Sequence, residues 1–470
     1  MRLWRGTLAY VALGMCASLA PRAQAGALAE YVARSDDSTQ SQWVRSGTLG
    51  SGEFVELILT SQTWRGIPWK HQLFLFRPKR LDADSRQAIL YIDGGRWRPE
   101  YENDAADLPR HALIFARLAE AARAPVAVVR QVPFQPLFER REDALIAYTF
   151  DRYLETGEAD WPLLLPMVKS AVRAMDAVQE LARKQWQLEL ERFTVAGASK
   201  RGWTSWLTAA ADPRVASVAP MVIDMLDIPE QIRLQRDTFG SLSEEVQDYD
   251  KIDLPARIDS VLGRRLIETV DPYSYRATLT QPKLILLGTN DRYWPLDALS
   301  LYWSGLMQPK SVLYVPNQGH GLRDMDRVVG SLSAFHRYSA RGERLPALSW
   351  TFKSSAKGGL EIAVQPDRKP VRVVAWSASS SSRDFREARW SQRDCKRAGT
   401  QFTCSEPLKP PQFTALYSEA TFRDRGETDF SLSTAVCIVD AKGAMVRPCL
   451  DNPEDETERA RREAPRTASN

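Results

Sequence analysis

Apolar and polar positions divide this chain into zones. From about residue 71 to 341, short apolar runs bounded by Gly, Pro, Asn or Asp alternate with longer stretches in which apolar residues recur every three or four positions. Runs of the first kind fit buried strands and stretches of the second kind fit amphipathic helices. The strand-like runs are HQLFLFRP (71–78), AILYIDGG (88–95), PVAVVRQVP (125–133), FTVAGAS (193–199), VASVAPMVI (215–223), PKLILLGTND (282–291) and KSVLYVPN (310–317). LPRHALIFARLAEAAR, DALIAYTFDRYLETGE, DWPLLLPMVKSAVRAMDAVQELARKQW and RGWTSWLTAAA carry the helical period between them. Apolar strands separated by helices predict an α/β fold: a mostly parallel, doubly wound sheet covered on both faces. Its functional site belongs at the carboxyl ends of the strands. The segment of about 224–280 is too long for a simple crossover and is expected as a cap insertion over that site, or as extra packing helices on its rim.

The pattern changes near residue 342. From 342 to 450 the apolar positions alternate in short segments broken by Pro, Gly and Ser, which predicts a small all-β, sandwich-like C-terminal domain after the 26–341 α/β domain. Residues 451–470 are polar and mixed in charge and read as a disordered tail.

The first 25 residues stand apart. Arg2 and Arg5 precede an apolar stretch from Leu8 to Leu19, followed by Ala23-Gln24-Ala25, the small-x-small pattern of a cleaved secretory signal. The stretch is shorter than the ~20 residues of a spanning helix, so no stable membrane span is expected. Met15 directly before Cys16 argues against a lipoprotein. Removing Arg2, Arg5 and Arg22 lowers the formal charge from +4 to +1, which gives no electrostatic reason to expect nucleic acid. The expected location is periplasmic or secreted. Four cysteines remain, Cys395, Cys404, Cys437 and Cys449, as an oxidising compartment allows. Their order suggests Cys395 with Cys404 and Cys437 with Cys449, although four cysteines permit three pairings. Neither pair has the short spacing of a zinc site and no histidine follows His336, so no metal and no cofactor is expected.

The candidate chemistry sits at the strand ends. In Gly197-Ala198-Ser199-Lys200-Arg201-Gly202 a strand must reverse into a helix around a serine, as in a nucleophile elbow. The pattern departs from G-x-S-x-G in that its second glycine comes one residue late. A serine nucleophile requires a base and an acid to orient it. Of the four histidines, His71 precedes an early strand, while His111 and His336 lie in helical patterns. His320, between Gly319 and Gly321 after the last strand, is the candidate base. The candidate acid is Asp291 in GTNDRYWP, with Asp224 in MVIDMLD as the alternative. Ser199, Asp291, His320 is the chain order of an α/β-hydrolase triad. Oxyanion donors are expected from the backbone N–H of Lys200 and from Gly95 or Arg96 in YIDGGRWRP. Trp64, Trp69, Trp97, Trp294 and Trp303 lie near these motifs and offer aromatic walls, whereas Trp203 and Trp206 on the elbow helix are assigned to the core.

SQTWRGIPWKHQLFLFRP, GASKRGWTSWL, APMVIDMLD, GTNDRYWPLDA and VPNQGHGL together resemble the PhoPQ-activated pathogenicity-related protein family, from about residue 28 to 340 and more loosely beyond. The resemblance implies a secreted bacterial protein with an α/β-hydrolase fold. The elbow is also similar to that of glucuronoyl esterases, in which a basic residue after the serine helps hold the oxyanion; this implies such a role for Lys200 or Arg201. The function expected is a serine hydrolase of a carboxylic ester or peptide-like amide, acting on a small molecule, glycan or peptide. The alternative is a non-catalytic binding or signalling protein on the same scaffold, with the β domain contacting a protein or glycan.

Overall fold

The computed structural model describes residues 26–82, 86–103, 107–355, 358–425 and 428–453. The predicted signal segment 1–25, and all but the first three residues of the predicted tail, lie outside the described residues.

A short helix, α1 (Ala27–Ala33), leads into three antiparallel strands, β1 (Gln40–Leu49), β2 (Gly52–Trp64) and β3 (Ile67–Arg77). The chain then alternates: β4 (Gln87–Ile92), α2 (Ala112–Ala122), β5 (Val126–Val129), α3 (Glu142–Thr156), α4 (Leu164–Trp186), β6 (Arg192–Ala198), α5 (Lys200–Ala211) and β7 (Val215–Met221). Four helices follow, α6 (Ile228–Phe239), α7 (Gln247–Asp250), α8 (Leu254–Arg257) and α9 (Val261–Val270), then β8 (Lys283–Gly288), β9 (Lys310–Val315) and α10 (Met325–Ala340). The strands lie in the order β1-β2-β3-β5-β4-β6-β7-β8-β9, and every pair from β5 to β9 is parallel. This is the α/β-hydrolase architecture expected from the sequence.

Composition explains the central strands. β5 is VAVV and β8 is KLILLG, and every residue of both is buried because helices cover both sheet faces. Each fully buried Val, Leu or Ile contributes roughly 1.5–3 kcal/mol relative to exposure, so the register of these strands is strongly fixed. β1 is mostly exposed and protects the sheet edge with polar residues.

The region after 342 is less separate than its composition suggests. It folds as β10 (Leu348–Ser355), β11 (Gly359–Pro366), β12 (Arg372–Ser380), β13 (Ser391–Asp394), β14 (Lys396–Ala398), β15 (Gln401–Pro407), β16 (Phe413–Asp424), β17 (Thr428–Ser433) and β18 (Cys437–Val439). β10-β11-β15-β14 form a separate four-stranded sheet. The others join the hydrolase sheet, which continues β9-β17-β16-β12-β13, with β18 also on β16. The junction is antiparallel at Ser433 and Val312, where the Tyr314 N–H donates to Ser433 Oγ at 2.6 Å. A buried ion pair, Arg337 Nε to Asp424 Oδ2 at 2.7 Å, ties α10 to β16. The physical reason is the edge of β9, whose backbone groups need partners that the α/β region does not supply. The two sheets therefore face each other as a sandwich, but one of them is the flank of the hydrolase sheet.

The disulfides pair Cys395 with Cys404 and Cys437 with Cys449, with Cα–Cα separations of 4.6 and 5.1 Å. The first fastens the β13–β14 crossing between the two sheets to β15. The helices α6 to α9 pack beside α3 and α5, where Trp203 Nε1 donates to the Val270 carbonyl at 2.5 Å and the Tyr249 hydroxyl to Asp143 at 3.0 Å. Among the described residues, no helix is long and apolar enough to cross a membrane.

Candidate active site

Ser199 stands between β6 and α5 with φ 58° and ψ −130°. A non-glycine residue is rarely held at positive φ, and such strain costs about 1–3 kcal/mol. Two backbone bonds hold it there: the Ser199 N–H donates to the Met221 carbonyl at 2.8 Å, and the Ser199 carbonyl accepts from the Trp203 N–H at 3.0 Å. The late glycine has a steric cause. A Cβ on Gly202 would lie 2.8 Å from both the Gly197 carbonyl oxygen and Ile223 Cγ2. Gly197 and Gly202 are thus the two faces of one close approach. Arg201 takes the position usually held by glycine, and Gly94 on the facing loop yields the space, since a Cβ there would overlap the Arg201 guanidinium.

The side chains of Lys200 and Arg201 are both committed. Lys200 Nζ pairs with Glu142 Oε2 at 2.9 Å and Asp143 Oδ2 at 3.0 Å. Arg201 donates to the Val132 carbonyl at 2.6 Å and to both oxygens of Glu142 at 2.7 and 2.9 Å. These cations hold the Glu142 carboxyl far below its ordinary range against the opposing effect of burial. With both side chains paired, the Lys200 backbone N–H is the donor that the elbow leaves without a partner among the described residues. As the first residue of α5, Lys200 has no intrahelical acceptor for that N–H.

His320 follows β9, and its Nδ1 lies 3.0 and 2.9 Å from the two oxygens of Asp291. That contact favours Nδ1–H and leaves Nε2 as a lone-pair acceptor. Nε2 is buried and has no hydrogen-bond partner among the described residues. The loops are locked together beneath the ring. A Cβ on Gly288 would lie 2.5 Å from the Gln318 carbonyl oxygen, and the Asn290 N–H donates to that carbonyl at 2.9 Å. The Tyr293 N–H donates to Asp291 at 3.0 Å, and the Tyr293 ring stacks on His320 with centroids 4.0 Å apart.

The structure brings Ser199 and His320 to one cavity of about 360 Å³, also lined by Asp93, Gly95, His111 and Arg130. No hydrogen bond joins Ser199 Oγ to His320 among the described residues; such contacts commonly tighten only with substrate bound. Gly95, at φ 113°, faces this cavity, and its N–H has no hydrogen-bond partner among the described residues. Arg96 is exposed and does not line it. Asp224 stays apart from His320: it accepts from the Tyr302 hydroxyl at 2.6 Å, and burial pushes its carboxyl up to about 8. Of the tryptophans, Trp64, Trp69 and Trp303 are buried, and none of the five expected as walls lines this cavity. Trp203 and Trp206 are core, as assigned. The segment 224–280 contributes no lining residue either. His71 and His336 are buried and pushed down to about 4 and about 3, so both stay neutral.

Two parts of the site escaped the sequence reading. His111 is one, because its helical setting hid that its ring bonds Asp93 at 3.1 Å across the cavity. The second is a clamp from the C-terminal region. Asn290 Nδ2 donates to the carbonyls of Ala388 (2.6 Å) and Arg386 (3.2 Å), and Asn317 exchanges bonds with the Trp390 backbone at 3.0 and 2.8 Å. Neither had a local sequence signal.

Comparison with known proteins places the chain. The family described as PhoPQ-activated pathogenicity-related protein matches residues 28–386. The chain belongs to this family. Autocrine proliferation repressor protein A of Dictyostelium discoideum is 31% identical over 388 residues, covering 76% of each chain. Among solved structures, an acetyl xylan esterase from Paenibacillus sp. R4 aligns at 13% identity, covering 64% of this PhoPQ-related chain and 91% of the esterase, with a TM-score of 0.44. An S-formylglutathione hydrolase from Agrobacterium tumefaciens aligns at 14% identity over 64% of this chain and 99% of its own, with a TM-score of 0.40.

Proposed function

We propose that this PhoPQ-related protein is a periplasmic or secreted serine hydrolase of carboxylic esters or peptide-like amides. The observation that carries the reading is the convergence on one cavity of a strained elbow serine and a histidine whose far nitrogen is held by a buried carboxylate. In the first step Ser199 Oγ attacks the acyl carbon and its proton passes to His320 Nε2. The tetrahedral oxyanion is held by the N–H groups of Lys200 and Gly95. The bond to the leaving oxygen or nitrogen then breaks as His320 returns the proton to it. Water then adds to the acyl carbon as its proton passes to His320, and the acyl–Oγ bond breaks as His320 returns that proton to Ser199, releasing the acid. Asp291 orients the imidazole and stabilises its charged form. Two disulfides accord with export to an oxidising compartment.

The test is labelling with a fluorophosphonate probe. Wild type should label, whereas Ser199→Ala and His320→Ala should not, with turnover of an activated ester falling by about 10⁴-fold or more. A folded wild-type protein that does not label would overturn the reading. The name of the Dictyostelium relative, a repressor of proliferation, favours the second reading, a signalling protein on this scaffold. That reading predicts no labelling, and retained biological action in Ser199→Ala.

A further inference from the structure

The cavity beside Ser199 does not end at the polar wall. A second space of about 200 Å³ lies between α2 and α10, lined by Ile114, Phe115, Leu118, Leu322, Met325 and Val329. The two spaces share Tyr91, Asp93, His111, Ala198 and His320 among their lining residues, so they meet where the histidine faces the serine. The apolar space corresponds to about seven waters at liquid density, enough for a ring or a medium alkyl chain.

The polar half has an unused donor beside an unused acceptor. Asp93 Oδ2 accepts from His111 Nε2 and from Arg130 Nε, each at 3.1 Å, while Oδ1 has no hydrogen-bond partner among the described residues. Arg130 Nη1 donates to Gln72 at 2.9 Å, and Nη2 has no such partner. Nη2 would lie 3.3 Å from a Cβ on Gly95, which puts it against the expected oxyanion loop. Every full charge on and behind this wall is already balanced: Asp93 by Arg130, Glu142 by Arg201, and Lys200 by Asp143. A hydroxyl both donates and accepts, so neutral hydroxyl groups complete this wall where a free anion or cation would be left over.

We propose that the Ser199 cavity is bipartite and takes an amphiphilic ester, with a hydroxylated group against Asp93 and Arg130 and an apolar chain or ring in the groove between α2 and α10. This rests on the serine-hydrolase reading above. Asp93 and Arg130 fix the polar half, and Ile114 and Met325, both half-buried, form the mouth of the apolar half.

The test uses the mature full-length chain and two substrate ladders. One is p-nitrophenyl esters from acetate to octanoate, and the other is acetates of ethyl to octyl alcohol. kcat/KM should rise by at least about tenfold along one ladder, since each buried methylene favours binding. The ladder that rises tells whether the groove holds the acyl or the alcohol side. Ile114→Trp, and independently Met325→Trp from the opposite wall, should flatten that rise, read as the octyl-to-shortest ratio within each variant. With the better chain fixed, hydroxyls on the opposite half (glyceryl against propyl, or glyceroyl against propanoyl) should raise kcat/KM, and Asp93→Asn should remove that gain. Two flat ladders, or a rise that survives both tryptophans, would overturn the apolar half. A hydroxyl preference absent in wild type or unchanged in Asp93→Asn would overturn the polar half. In each case Ser199 still labels, which separates this failure from failure of the hydrolase reading.

Discussion

Arg201 replaces a glycine beside the serine, and the site around it is built to tolerate that. Glu142 holds both buried cations of the elbow, so losing its charge leaves Lys200 and Arg201 poorly compensated. Hydrogen bonds to charged groups are worth about 1.5–3 kcal/mol; Glu142→Gln should lower unfolding stability by about 2 kcal/mol in urea titration and weaken labelling of Ser199. The two candidate acids should behave oppositely. Asp291→Asn should cut turnover by roughly 10⁴-fold, as the wrong imidazole tautomer is favoured. Asp224→Asn should leave turnover within about threefold, because its carboxyl meets Tyr302 and not His320. Its effect belongs to stability. The Asp224 carboxyl is raised by burial to about 8, so the folded state holds a proton that the unfolded state releases near pH 4. The stabilising proton is fully present below the unfolded value and is lost as pH rises toward 8. Asp224→Asn should therefore raise the melting temperature at pH 8.5 relative to wild type, and do so much less at pH 4.5. Ser199, Asp291 and His320 were legible as candidates because each follows an apolar strand and their order is informative. Asp93, His111 and Arg130 were not, because their meeting depends on the β3-β5-β4 order, which no local pattern encodes.

At the scale of elements, the loops after β8 and β9 hold the Asp291–His320 pair and are braced by residues 385–390. Asn290→Ala removes the hydrogen bonds to the Ala388 and Arg386 carbonyls while leaving Asp291 in place. The expected outcome is a fall in kcat of about tenfold with little change in KM, as when positioning is lost and binding kept; an unchanged kcat would show that the brace is structural only. The helices were readable because each buries one face at a helical period, and the parallel strands because burial on both faces makes each a continuous apolar run. The edge strand β1 was not singled out, since it is largely exposed and gives no apolar run. The union of β17 with β9 was equally invisible: composition signals a change of class at 342, but strand pairing across that point depends on an unfilled backbone edge.

For the whole molecule, that union makes the C-terminal region part of the hydrolase sheet. A chain ending at residue 341 would leave β9 as an open, apolar edge and lose the brace on the acid and histidine loops. Such a chain should elute as aggregate in size-exclusion chromatography, whereas the mature chain ending at 470 should elute as a discrete species. Reducing the two disulfides should lower stability by about 2–4 kcal/mol for each bridge that opens, seen as a lower melting temperature in reductant. The same continuity gives the protein a timetable. During synthesis Ser199, Asp291 and His320 all emerge before Thr428–Ser433, the strand that joins β9 to the rest of the sheet. The loops that carry Asp291 and His320 are thus braced only by segments made after them, so the proposed site is completed late in synthesis.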